Sequence, residues 1–142
     1  MKTNSTKKII SFFLGSALFF LFSCQNDDRT FQLNTVKLVQ FEKEKSLPEQ
    51  KLFIKVFKDE SKVSIAETEF YPSDLPLPTT LKMYPSPEMN LYGTSYHLEL
   101  WGNITGYIDG CSVHMDDYKI IFPIDMEVKG EHLEISMQGS WK

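Results

Sequence analysis

Lys51-Leu52-Phe53-Ile54-Lys55-Val56-Phe57-Lys58 decides the fold. Successive side chains of an extended chain point to opposite faces, so Leu52, Ile54 and Val56 share one side while Phe53, Lys55 and Phe57 share the other. Lys58-Asp59-Glu60-Ser61 then supplies the chemistry of a tight hairpin. The same period of two returns where Tyr96, Leu98 and Leu100 oppose His97, Glu99 and Trp101, and again at Leu133, Ile135 and Met137. No window of a dozen residues sustains a helical stripe. Strands are expected at 31–41, 51–58, 62–70, 79–84, 95–101, 104–109, 111–115, 118–124 and 131–137, with Asp109-Gly110 and Asp116-Asp117 as turns. The proline-bearing stretches Tyr71–Pro78 and Tyr84–Glu88 lack amide donors and read as loops or edge crossings. The fold class is all-β, and many short strands at such spacing favour an antiparallel sandwich or barrel.

N-terminal to this body, Lys2, Lys7 and Lys8 precede an apolar run from Ile9 to Phe22, and Leu21-Phe22-Ser23-Cys24 follows. A basic start, a short apolar segment and a small residue before a cut are the layout of a secretory signal. The tetrapeptide resembles the lipobox of bacterial lipoproteins, which implies removal of residues 1–23 and acylation of Cys24. An uncleaved anchor is the other reading, but a span takes about 20 apolar residues and this run is about 14, interrupted by Ser11, Gly15 and Ser16. Residues 24–30 form a polar, acidic tether. Its Gln25-Asn26-Asp27-Asp28 is either a solvated linker or the acidic export signal that it resembles in surface lipoproteins of the Bacteroidetes group. The expected location is the bacterial outer membrane, periplasmic-facing or at the cell surface, with the membrane engaged through the lipid on Cys24.

Without residues 1–23 the chain keeps 12 of its 15 basic residues against 19 acidic ones, a formal charge of −7. So acidic a surface repels phosphate backbones, and nucleic acid is excluded as a partner. Residues 31–142 are enough for one domain. With Cys24 lipidated, Cys111 has no disulfide partner and the fold must rest on its apolar core.

Leu47-Pro48-Glu49-Gln50, continuing into Lys51–Asp59, resembles the start of the main hairpin of YbaY-type lipoproteins, a family related to the pilotin of type III secretion. The likeness extends through Val63-Ser64-Ile65-Ala66-Glu67, Leu75-Pro76-Leu77-Pro78, Thr80-Leu81-Lys82-Met83-Tyr84 and Tyr96-His97-Leu98-Glu99-Leu100. The resemblance implies a lipid-tethered antiparallel β-sandwich of transthyretin-like or immunoglobulin-like topology, about seven to nine strands, without a known active site. The chain departs from the family at Trp101-Gly102-Asn103-Ile104 and extends beyond it at Asp125–Lys142.

Cys111-Ser112-Val113-His114-Met115 offers soft ligands suited to copper(I). On one strand, however, Cys111 and Met115 face away from His114, so His97 or His132 would have to join them. The default is a core Cys and Met beside a surface His, with no metal and no cofactor. There is no Gly-x-Ser-x-Gly elbow, no His-Glu-x-x-His and no phosphate-binding glycine loop, so no enzyme is expected. Asp116, Asp117 and Asp125 lack the spacing of a calcium loop. Phe53, Phe57 and Trp101 stand opposite the core-facing residues of their strands. They are either covered by loops and the C-terminal strand or form a binding patch for a protein or a glycan. The expected function is a non-catalytic binding or accessory module of the envelope. The alternatives are a pilotin-like chaperone that grips an outer-membrane subunit along a strand edge, and a copper-binding protein.

Overall fold

A computed structural model describes residues 29–42 and 47–142. Cys24, the expected signal segment and most of the expected tether lie outside the described residues. Among the described residues there are ten strands: β1 Thr30–Phe41, β2 Lys51–Lys58, β3 Ser64–Thr68, β4 Tyr71–Pro72, β5 Thr79–Tyr84, β6 Glu88–Asn90, β7 Ser95–Gly102, β8 Gly106–His114, β9 Asp125–Lys129 and β10 Leu133–Trp141. All pairings are antiparallel, in the order β8-β7-β2-β3-β5-β1-β10-β9, with β4 added to β2 and β6 to β1. β5 belongs to both halves, pairing β3 on one side and β1 on the other. The two halves therefore face each other across one core as a continuous sheet nearly closed into a barrel. At the seam β8 lies against β9: His132 N–H donates to Asp109 Oδ2 (3.2 Å) and the Tyr118 hydroxyl to the Glu127 carbonyl (3.4 Å).

Parity fills the core. Leu52, Ile54 and Val56 of β2, Tyr96, Leu98 and Leu100 of β7, and Leu133, Ile135 and Met137 of β10 are all buried. Each such side chain contributes about 1.5 to 3 kcal/mol on leaving water. In β1 the inward phase changes from Phe31 and Leu33 to Val36 and Leu38, because a bulge between Leu33 and Thr35 absorbs one residue. Ser86 pins that bulge, its hydroxyl lying 2.5 Å from the Leu33 carbonyl and 2.8 Å from Asn34 Oδ1.

Several expected elements differ. Asp109-Gly110 is not a turn: the segments expected at 104–109 and 111–115 form the single strand β8, which pairs with β7 through Leu100↔Asp109 and Glu99↔Gly110. The expected strand at 118–124 is instead the end of a 3₁₀ turn, Met115–Tyr118, followed by an exposed loop. β9 and β6 were not expected, and the latter lies just after one proline-bearing stretch. The other stretch contributes the two-residue β4 at the edge of β2.

At the end of the barrel away from the N-terminus, Gln50 is buried and acts as a clamp. Its Oε1 accepts the amides of Ile104 (3.1 Å) and Thr105 (3.0 Å), and its Nε2 donates to Thr105 Oγ1 (2.9 Å). A Cβ at Gly102 would overlap the Gln50 amide and displace it from this clamp. Gln50→Ala leaves two turn amides without their acceptor and should cost about 1 to 3 kcal/mol, read as a lower denaturation midpoint with an unchanged slope.

Candidate aromatic binding face

The outer face of β2, β7 and β8 carries the sequence-predicted aromatic residues. Register places Phe53 opposite Trp101 and Lys55 opposite Glu99. Glu99 and Trp101 are two apart on one strand and so share a face; the indole Nε1–H donates to Glu99 Oε2 at 2.8 Å, which fixes the ring. The Lys55 ammonium sits 4.3 Å from the Trp101 ring centre and 5.5 Å from that of Phe53, a cation held between two π faces. It also pairs with Glu67 at 3.6 Å. Charge and rings thus lock one another in place.

Two further rings extend this face. Phe70 meets Phe53 edge-on, with centroids 5.2 Å apart at 84°, and Tyr107 meets Trp101 in the same way at 6.2 Å and 81°. Phe70 is 60% and Tyr107 54% exposed, whereas Phe53 and Trp101 are half-buried. The question that the alternation leaves open is therefore answered ring by ring. Phe57 is covered, at 8% exposure, where a β-bulge shifts β2 against β3, and it is not accessible to a partner. Phe70 and Tyr107 were missed because neither follows strand parity: one lies in a loop, the other beside the bulge that shifts β8 against β7 between Leu100 and Trp101.

The metal constellation is not assembled. Cys111 and Met115 are buried, and His114 is exposed on the other side of the strand. Among the described residues no group of three or more His, Cys, Asp or Glu side chains comes together around a common point. Burial, with a smaller contribution from the Asp109 charge, pushes the Cys111 thiol up to about 12. A thiol raised from 9.0 to about 12 loses about a thousandfold of its thiolate at neutral pH. Maleimide labelling of Cys111 should accordingly be negligible in the folded protein and rapid in denaturant, as intact mass would record; equal rates in both states would contradict its burial.

Among the described residues the histidines are not gathered with a hydroxyl and a carboxylate in one chain of contacts. His97 Nδ1 lies 3.0 Å from the Ser112 hydroxyl on the outer face, but no carboxylate among the described residues pairs with that ring. His132 instead meets carboxylates at both nitrogens, Glu42 at 2.5 Å and Glu131 at 3.6 Å. It stands between two adjoining clefts of about 530 and 500 Å³ at the Gln50 end of the barrel. The second cleft runs past Leu47, Thr105 and Asp109 to Tyr107, and so reaches the rim of the aromatic face. Among the described residues no helix is long and apolar enough to cross a membrane. No family model, curated protein or solved structure matches the chain.

Proposed function

We propose that this chain is a lipid-anchored protein of the bacterial envelope whose aromatic face binds a partner protein without catalysis. The observation that carries this reading is the cation locked between Phe53 and Trp101, with Phe70 and Tyr107 exposed on either flank. Aromatic residues are enriched at the cores of protein interfaces, and rings held on strands lose little freedom when a partner docks. A protein is favoured over a glycan because the indole N–H of Trp101 is already committed to Glu99. Sugar hydroxyls would find few free donors around that ring. An outward face is favoured over the strand-edge grip of a pilotin-like chaperone, since the terminal strands β8 and β9 of the sheet face each other at the seam.

The test places a photo-crosslinking amino acid at Tyr107 in intact cells. A discrete adduct with another envelope protein is expected, and Trp101→Ala should abolish it. Because Trp101 is only half-buried, its loss should cost about 1 kcal/mol of stability, so binding and folding separate. Absence of any adduct, or an adduct indifferent to Trp101→Ala, would sink the reading.

A further inference from the structure

Among the described residues, three strongly exposed aliphatic side chains lie together in the loop between β8 and β9. Ile120, Ile121 and Ile124 are 85%, 74% and 69% exposed. Val63, in the connection between β2 and β3, and Tyr92, between β6 and β7, are exposed as well. Hydrogen bonds gather these three loops at one end of the barrel. Asp59 N–H donates to the Ser95 carbonyl (2.7 Å) and Ser95 N–H to Asp59 Oδ1 (3.1 Å), tying the β2–β3 turn to the start of β7. Ser95 pairs with His114, from which the isoleucine loop departs. Leu91 N–H donates to the Arg29 carbonyl (3.1 Å), tying the β6–β7 loop to the start of β1.

The chain's N-terminal segment reaches the domain at this same end. The guanidinium of Arg29 lies 4.3 Å from the ring centre of Phe122, which follows Ile121 in this same loop. Cys24 is five positions before Arg29, so a thiol-linked lipid can be no farther from this loop than about 18 Å of fully extended chain. Isolated apolar residues on a surface need no explanation, but five at one end, beside the point where an anchor must leave, call for a common cause.

We infer that this end of the barrel rests on the lipid bilayer, with Ile120, Ile121 and Ile124 inserted among the acyl chains beside the lipid on Cys24. The inference rests on the lipid-anchor reading above. Lys62 and Lys119 are exposed on the same loops, and long basic side chains placed there can extend to phosphate level at a membrane interface. Asp59, Glu60, Asp116 and Asp117 share that end, so contact comes from apolar insertion and not from attraction to anionic headgroups. The geometry turns the His132 clefts away from the membrane and leaves the aromatic face on the side wall. A protein held in this way presents one fixed side to its surroundings instead of swinging on its tether.

The test uses the full chain carrying its own lipid, reconstituted in phosphatidylethanolamine–phosphatidylglycerol vesicles. An environment-sensitive fluorophore is attached through Ile121→Cys or, as a control at the opposite end, Ile104→Cys, which is 66% exposed. A blue-shifted emission quenched by brominated acyl chains is expected at position 121 and not at 104, and it should be insensitive to salt and to the phosphatidylglycerol fraction. A water-like spectrum at 121, equal shifts at both positions, or a shift without bromine quenching would overturn the inference. The mass of the N-terminal peptide reports acylation separately. An acylated Cys24 with an unshifted label removes only the orientation, whereas an unmodified Cys24 removes the anchor and the orientation together.

Discussion

Gly139→Val should unfold the domain at physiological temperature, and Gly139→Ala should lower its stability by about 3 kcal/mol or more. Gly139 lies in β10 opposite Leu33, and a Cβ there would overlap the backbone carbonyl of Gln32 and press at 2.8 Å on the ring of Phe31. A flexible side chain can step aside, but a strand backbone cannot without breaking its ladder. The ladder in question joins β1 to β10, the pairing that carries Phe31, Leu33, Val36 and Leu38 over Ile135 and Met137. The loss should appear as a fall in Tm of more than about 10 °C for Gly139→Ala. Gly93 provides the contrast. It has φ +70° with nothing near its missing Cβ, so Gly93→Ala should cost only the backbone penalty of about 1 to 2 kcal/mol. Equal losses at the two glycines would mean that close approach at Gly139 is not what restricts it.

Glycine is also where the sequence misleads about the fold. Asp109-Gly110 has the composition of a hairpin turn, yet a Cβ at Gly110 would stand 3.2 Å from the Leu98 carbonyl and 3.4 Å from the Tyr107 hydroxyl. It is a glycine of close packing inside a strand, and strand composition alone cannot distinguish that from a turn. The isoleucines at 120, 121 and 124 mislead in the opposite sense. β-branched residues promote strands only where neighbours pack against them, and here, among the described residues, the one backbone hydrogen bond from a strand is the Gly139 N–H of β10 donating to the Ile124 carbonyl at the foot of the loop. By contrast β2 and β5 are legible to the residue, since alternation and flanking turn or proline signals agree. β9 has only Met126 and Val128 turned inward, too few for its period to stand out. The candidate aromatic face was half legible for the same reason: parity locates Phe53 and Trp101, whereas Phe70 depends on how a loop folds back and Tyr107 on a shift in register between β8 and β7.

Cys24→Ser should remove the protein from the outer membrane, with its content there falling about tenfold or more, and should abolish incorporation of labelled palmitate. The size of the effect follows from what the thiol would carry. Each methylene buried in the bilayer is worth about 0.8 kcal/mol, so two or more long acyl chains hold a protein durably, whereas three isoleucine side chains at a loop tip hold it weakly and reversibly. In the proposed arrangement the apolar loop would orient a body that the lipid has already brought to the surface, and would not replace the lipid. A serine hydroxyl at this position accepts no thioether-linked diacylglycerol, so acyl chains carried by Cys24 would be lost at their point of attachment. Cys111→Ser serves as the control, because that thiol is buried against the Leu98 carbonyl and held in its protonated form. It should leave palmitate labelling untouched and cost only packing. Persistent labelling of Cys24→Ser, or a full-length unmodified chain in the intact mass of the wild type, would break the link between the lipobox-like tetrapeptide and the membrane. The proposed orientation of the barrel would fall with it, while the aromatic face would still await its own crosslinking test, since Phe53, Lys55 and Trp101 are arranged by strand register and owe nothing to the anchor.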